Sequence, residues 1–194
     1  MAKRQKGQNF ERDICKKLSL WYGGRKDIFW RTAGSGARAT IRMKQDKCTA
    51  LSAGDIGCID PSGSQFLEIC LIELKRGYSD VIDILACVDK LKSQKPPVLI
   101  QWWLKAEIER KQHKRKCSLL IFKRDRKQEC IVMSENTYHV LKHKNMNLKA
   151  KVPMIHINYQ LQELIIIKLD DLLAWCKPSY FKKRRVIKRR IKDE

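Results

Sequence analysis

Two apolar runs flank the turn residues Pro61-Ser62-Gly63-Ser64. The first is Gly54-Asp55-Ile56-Gly57-Cys58-Ile59-Asp60, and the second runs from Phe66 through Ile69-Cys70-Leu71-Ile72 to Glu73-Leu74-Lys75. Apolar runs around a Pro/Ser/Gly turn predict a β-hairpin. Strand side chains alternate, so Glu73 and Lys75 share one face and Leu74 points to the other. Folding the hairpin back brings Asp55 within a residue or two of Glu73 in register. Diagonal cross-strand neighbours lie ~7–8 Å apart, a span that one hydrated divalent cation bridges.

Two carboxylates and a lysine around one point suit metal-assisted phosphodiester hydrolysis. The tripeptide alone does not discriminate. Glu109-Arg110-Lys111 has the same Glu-x-Lys spacing, but it lies in a charged helical stretch and reads as a solvated face. The apolar strand and the Gly-Asp entering the hairpin set Glu73–Lys75 apart.

A second constellation precedes it. Phe10, Ile14, Leu18 and Trp21 have helical spacing, predicting a helix over residues 8–22 that stops at Gly23-Gly24. Glu11 sits one residue off that stripe. Residues 27–32 predict a short strand, followed by Ala33-Gly34-Ser35-Gly36.

This order (helix with a glutamate, strand, loop, aspartate strand, Glu-x-Lys strand) resembles the PD-(D/E)xK nuclease superfamily. The likeness is nearest its Holliday-junction-resolvase-like branch and small phage-type endonucleases. It rests on Gly7 to Arg12, Arg31 to Gly36, Gly54-Asp55-Ile56 and Ile72-Glu73-Leu74-Lys75. Two departures stand out. Gly54 replaces the proline of the family's name, and the loop from Ala37 to Ala53 is longer than in the resolvases.

The resemblance implies an α/β fold with a mixed central β-sheet flanked by helices, in the restriction-endonuclease-like order helix-strand-strand-strand-helix-strand. It implies Glu11, Asp55, Glu73 and Lys75 as the catalytic set. Asp55, Glu73 and the Leu74 backbone carbonyl would hold Mg²⁺ or Mn²⁺ directly, with Glu11 in the outer shell or on a second ion. Lys75 would position and polarise the attacking water, and Ser35 would contact the scissile phosphate. Arg31, Arg38, Arg42, Lys44, Lys47 and Arg76 are the further expected DNA contacts. The implied substrate is branched or duplex DNA. Symmetrical junction resolution needs two active sites, which points by analogy to a homodimer.

Composition agrees. Net charge is +21 over 194 residues. The tail after Phe181 accounts for +6 of that, through Lys182, Lys183, Arg184, Arg185 and four further basic residues against Asp193 and Glu194. The rest is basic in its own right, as polyanion binding requires. No long apolar span or amphipathic anchor speaks for a membrane. Met1 to Lys6 precede no apolar core, so no secretory signal is expected. A cytoplasmic site in a bacterial or phage-infected host follows, or a nuclear one in a eukaryote. The eight cysteines lack a Cys-x-x-Cys pair and the four histidines lack metal spacing, so zinc is not expected and the thiols read as reduced.

Gly34-Ser35-Gly36-Ala37-Arg38-Ala39 fits a loose dinucleotide fingerprint, but no apolar helix face follows it. The second half predicts helices over residues 81–91, 98–114, 136–141 and from Asp170 through Trp175. It predicts strands over 118–122, 130–133, 154–159 and 164–169. Trp102 and Trp103 read as core, and Asp170-Asp171 as a helix N-cap. The chain is expected to form one domain over residues 1–180 with a basic tail over 181–194. Its leading function is a Mg²⁺-dependent, structure-specific DNA endonuclease. A sequence-reading restriction- or homing-type endonuclease and a non-catalytic DNA-binding protein are the alternatives.

Overall fold

Phe10, Ile14 and Leu18 recur four residues apart and are all buried on one side of a helix, α1 (Lys3–Gly23). Gly24 ends it with φ +72° and an N–H donated to the Leu20 carbonyl at 2.9 Å. The computed structural model describes residues 3–32, 53–77, 82–91, 94–144 and 152–181. Next come β1 (Phe29–Arg31) and β2 (Ile56–Cys58), paired antiparallel as a two-stranded ribbon. A short helix, α2 (Ser64–Ile69), then leads into β3 (Cys70–Arg76).

β3 is the edge of a five-stranded sheet with β4 (Cys117–Lys123), β5 (Glu129–Ser134), β6 (Met154–Tyr159) and β7 (Gln162–Lys168), in the order β3-β4-β5-β7-β6. β3 and β4 run parallel, and the other pairs are antiparallel. A parallel pair needs a crossover. Here it contains α3 (Ala86–Asp89) and α4 (Val98–Gln112). α5 (Glu135–Lys144) follows β5, and α6 (Leu169–Trp175) follows β7. The mixed sheet with flanking helices is the expected fold class.

The expected hairpin over Gly54–Lys75 does not form. β2 pairs with β1, and Ser64–Ile69 is helical where a strand was expected. The Pro-Ser-Gly stretch starts a helix instead of reversing a strand. Pro61 opens a 3-10 turn, and the Asp60 carboxylate caps it by accepting the Ser62 N–H at 2.8 Å. Helical geometry then drives Phe66 and Leu67 into the core. There Phe66 meets Phe181 edge-on at 4.9 Å between ring centroids and Trp21 at 5.7 Å.

Alternation along the strands divides the core in two. Ile72, Leu74, Leu119, Ile121, Ile131, Ile165 and Ile167 face α1, α2, α5 and α6. Leu120, Phe122, Val132 and Ile166 face α4, which contributes Leu99, Ile100 and Trp103. Trp103 is fully buried as expected, and its indole N–H donates to Gln162 at 2.9 Å. The expected helix over residues 81–91 is described only as Ala86–Asp89. Of its expected apolar face, Ile82 packs on the α4 side together with Ile84 and Cys87, but Leu85, Val88 and Leu91 are exposed. Asp170 and Asp171 lie inside the first turn of α6, with Lys168 at the cap position. Asp170 instead accepts from Lys17 at 2.8 Å.

The seven described cysteines are free thiols. Burial pushes Cys15 and Cys176 up to about 12, so both stay protonated.

Candidate active site

Glu73, Leu71 and Lys75 alternate onto the α4 side of β3, opposite Leu74. β4 occupies one edge of β3, so the other edge is open to a non-strand partner. Asp55 takes it. Its backbone N–H donates to the Ile72 carbonyl at 2.9 Å, and its Oδ2 accepts the Leu74 N–H at 2.7 Å. The two bonds bracket Glu73. Asp55 therefore reaches the position that the sequence implied, by docking a single residue on a sheet edge.

Gly54 makes this docking feasible. Its φ is +75°, and a Cβ there would run into the Ile72 carbonyl oxygen and lie 3.3 Å from the Ile72 nitrogen. Only glycine combines that conformation with that approach. The end of β1 closes the other side, where Thr32 donates its hydroxyl to the Gly54 carbonyl at 2.7 Å and its N–H to the Asp55 carbonyl at 3.0 Å.

Asp55 and Glu73 are 6 % and 7 % exposed, the only buried acidic side chains among the described residues. Glu73 Oε1 is paired with the Lys75 ammonium in a short contact. Burial first, and then the Asp55 charge, push the Glu73 carboxyl up to about 7 against the pull of Lys75. Glu11 lies at the edge of the buried face of α1 and accepts from Arg31 Nη1 at 3.0 Å. Burial raises its pKa, Arg31 opposes the shift, and the charges of Asp55 and Lys75 also reach it.

These groups suit a hard divalent cation. Asp55 Oδ1 and Glu73 Oε2 make no hydrogen bond among the described residues. The N–H and C=O of one strand residue point the same way, so the Leu74 carbonyl faces the Asp55 edge too. That leaves two carboxylate oxygens and a carbonyl, ligands of the kind that hard divalent cations take. A cation there would also offset the Asp55 charge, which adds to burial in raising Glu73. The described residues hold no group of three or more His, Cys, Asp or Glu side chains placed to ligate one ion jointly. Glu11 is tied to Arg31 instead.

Arg76 points elsewhere. It donates to the Arg124 carbonyl at 3.0 Å and pairs with Asp125 at 3.1 Å, clamping the end of β3 to the β4–β5 turn. Ser35, Arg38, Arg42, Lys44 and Lys47 lie outside the described residues, as do Lys182, Lys183, Arg184 and Arg185.

A family model described as "phage putative PDDEXK endonuclease" matches residues 2–183. The chain belongs to this family. No curated protein and no solved structure matches it. In this PD-(D/E)xK chain the match spans α1, both sheets and the 3-10 turn that holds Phe181, well beyond the motifs. Membership marks a nuclease with nucleic acid as its substrate. No described helix is long and apolar enough to cross a membrane.

One residue at the site escapes sequence reasoning. Glu109, which reads as part of a solvated helix face, accepts the Gly54 N–H at 2.8 Å. Its charge adds to those acting on Glu73. Its side chain is only half-buried, so apolar periodicity holds no signal for it.

Proposed function

We propose that the protein is a Mg²⁺-dependent DNA endonuclease, with Mn²⁺ able to substitute, that prefers branched or otherwise structured DNA. The observation that carries this reading is the docking of Asp55 on the Leu74 N–H beside the Glu73–Lys75 pair. Asp55, Glu73 and the Leu74 carbonyl would hold the cation. A bound Mg²⁺ lowers the pKa of its water and neutralises charge building on the phosphoryl oxygens.

The chain's own groups do the rest. Lys75 keeps its ammonium at the cluster, where it orients the attacking water and faces the developing negative charge. Glu11 and Arg31 form a neighbouring ion pair, in which Glu11 would support the outer shell of the cation and Arg31 would face the DNA backbone. The remaining basic residues of the loop and tail bind phosphates without reading sequence. We place these functions in one domain over residues 1–180, with residues 181–194 as a basic tail. The expected setting is the cytoplasm of a bacterial or phage-infected cell, and the expected form on a junction is a homodimer.

The test uses purified protein with Mg²⁺ or with EDTA against four-way junction, flap, single-stranded and duplex DNA. Cleavage should require the metal and favour the branched forms. Asp55→Ala and Glu73→Ala should abolish cutting while DNA binding survives, since each change also removes a negative charge near phosphate. Wild-type cutting by both variants would refute the assignment. Equal cutting of duplex and junction would favour the restriction- or homing-type reading.

A further inference from the structure

Among the described residues, Asp55 belongs to no strand ladder. β2 begins only at Ile56, and its partner is β1. The position of the Asp55 carboxylate therefore depends on contacts to the Gly54–Asp55 peptide. Thr32 holds it by the Gly54 carbonyl and β3 by the Asp55 N–H, while Glu109 from α4 holds the preceding peptide by the Gly54 N–H and so fixes the other side of Gly54.

We infer that Glu109 is the positioning residue of this site: its carboxylate, accepting the Gly54 N–H, latches the Gly54–Asp55 turn onto the edge of β3 and so sets Asp55 for the reaction. The inference rests on the nuclease reading of Asp55 and adds a residue to it. Three observations carry it. The Glu109 Oε1 to Gly54 N distance is 2.8 Å, and an N–H bound to a carboxylate is about twice as strong a bond as a neutral one. Gly54, at φ +75°, cannot relax its backbone without moving Asp55, because the two share one peptide unit. α4 is a firm support: Leu99, Ile100, Trp103 and Ala106 anchor it against the sheet, and Ala106 sits one turn before Glu109 in contact with Leu71 and Ala53. The latch therefore runs from a packed helix to the one residue that needs it.

A ligand role for Glu109 is the competing chemistry. The absence of a three-membered acidic cluster among the described residues speaks against it. An amide keeps the acceptor oxygen and drops the charge, so Glu109→Gln separates the two.

The experiment compares wild type, Glu109→Gln, Glu109→Ala and Asp55→Ala, well below each unfolding midpoint. The first readout is hydrogen exchange resolved at the amides of Gly54, Asp55 and Leu74. Glu109→Ala should speed exchange at all three, and Glu109→Gln at none by more than about threefold. The second is Mg²⁺-dependent cleavage at saturating DNA. Glu109→Ala should lose about 10- to 100-fold in rate, as a displacement near 1 Å does. Its DNA affinity should be unchanged, and Glu109→Gln should recover most of the rate. Faster exchange at Gly54 alone, or full cutting by Glu109→Ala, would overturn the latch. A Glu109→Gln variant as dead as Asp55→Ala would make Glu109 a ligand and overturn it too. If wild type and Asp55→Ala cut alike, the nuclease reading fails, and the exchange data still decide whether Glu109 holds the turn.

Discussion

Gly54→Ala isolates the closeness of the Gly54 backbone to β3. An alanine in the left-handed region costs about 1–2 kcal/mol. The new methyl would also overlap the Ile72 carbonyl oxygen, a backbone atom that cannot swing aside as a side chain can. Relief requires the turn to lift off β3. That strains the Asp55 N–H to Ile72 bond at 2.9 Å, the Leu74 N–H to Asp55 bond at 2.7 Å and the Gly54 N–H to Glu109 bond at 2.8 Å. Losing one or two of them adds about 2–3 kcal/mol. The total of about 3–5 kcal/mol leaves a typical domain folded but weakened. Gly24→Ala is the control. Gly24 has a similar φ of +72°, but nothing lies within 4 Å of its added Cβ, so only the conformational cost applies. Urea denaturation should place Gly54→Ala about 2–3 kcal/mol below Gly24→Ala. Cleavage of saturating DNA should fall about 100-fold in Gly54→Ala and stay near wild type in Gly24→Ala. Equal midpoints for the two variants, or unimpaired cutting by Gly54→Ala, would show that Asp55 does not depend on the close approach to Ile72.

Lys75→Ala should slow cleavage at saturating Mg²⁺ by at least about 100-fold, and Lys75→Arg should restore little, because a planar guanidinium does not fit a water-sized position; single-turnover rates check this. Glu129 concerns stability. Burial alone would raise its pKa, but bonds to Lys123 and Lys17 outweigh it and bring it from 4.5 to about 2. A lowered folded-state pKa stabilises above the unfolded value, so the gap between wild type and Glu129→Gln should be full at pH 7. It should close as pH falls from about 4.5 to about 2, as denaturant midpoints at stepped pH will show. Deleting residues 182–194 should weaken binding to all DNA forms alike and flatten its salt dependence, with the rate on saturated DNA unchanged; salt-titrated anisotropy measures it.

Short-range pattern is enough for much of this protein. The stripe Phe10, Ile14, Leu18 specifies α1, because a 3.6-residue period puts those side chains on one face whatever lies opposite. Alternation puts Glu73 and Lys75 together against α4 for the same kind of reason. The carboxylates of Glu11, Asp55 and Glu73 and the ammonium of Lys75 are visible as candidate site groups before any fold is known. Pairing is different. A three-residue strand such as β2 has no preference of its own between β1 and β3, and the helix over Ser64–Ile69 settles the matter by burying Phe66 and removing the hairpin. The same run of apolar letters serves helix or strand, since burial from all sides erases the period that distinguishes them. Glu109 could be found only in three dimensions. It acts on a peptide N–H 55 positions away, and a hydrogen bond to the backbone requires nothing of the partner's side chain. Residues local in sequence thus determined which groups the site contains, while the long-range packing of α4 and β3 decided where Asp55 sits, because that carboxylate is held by backbone contacts that leave no side-chain pattern.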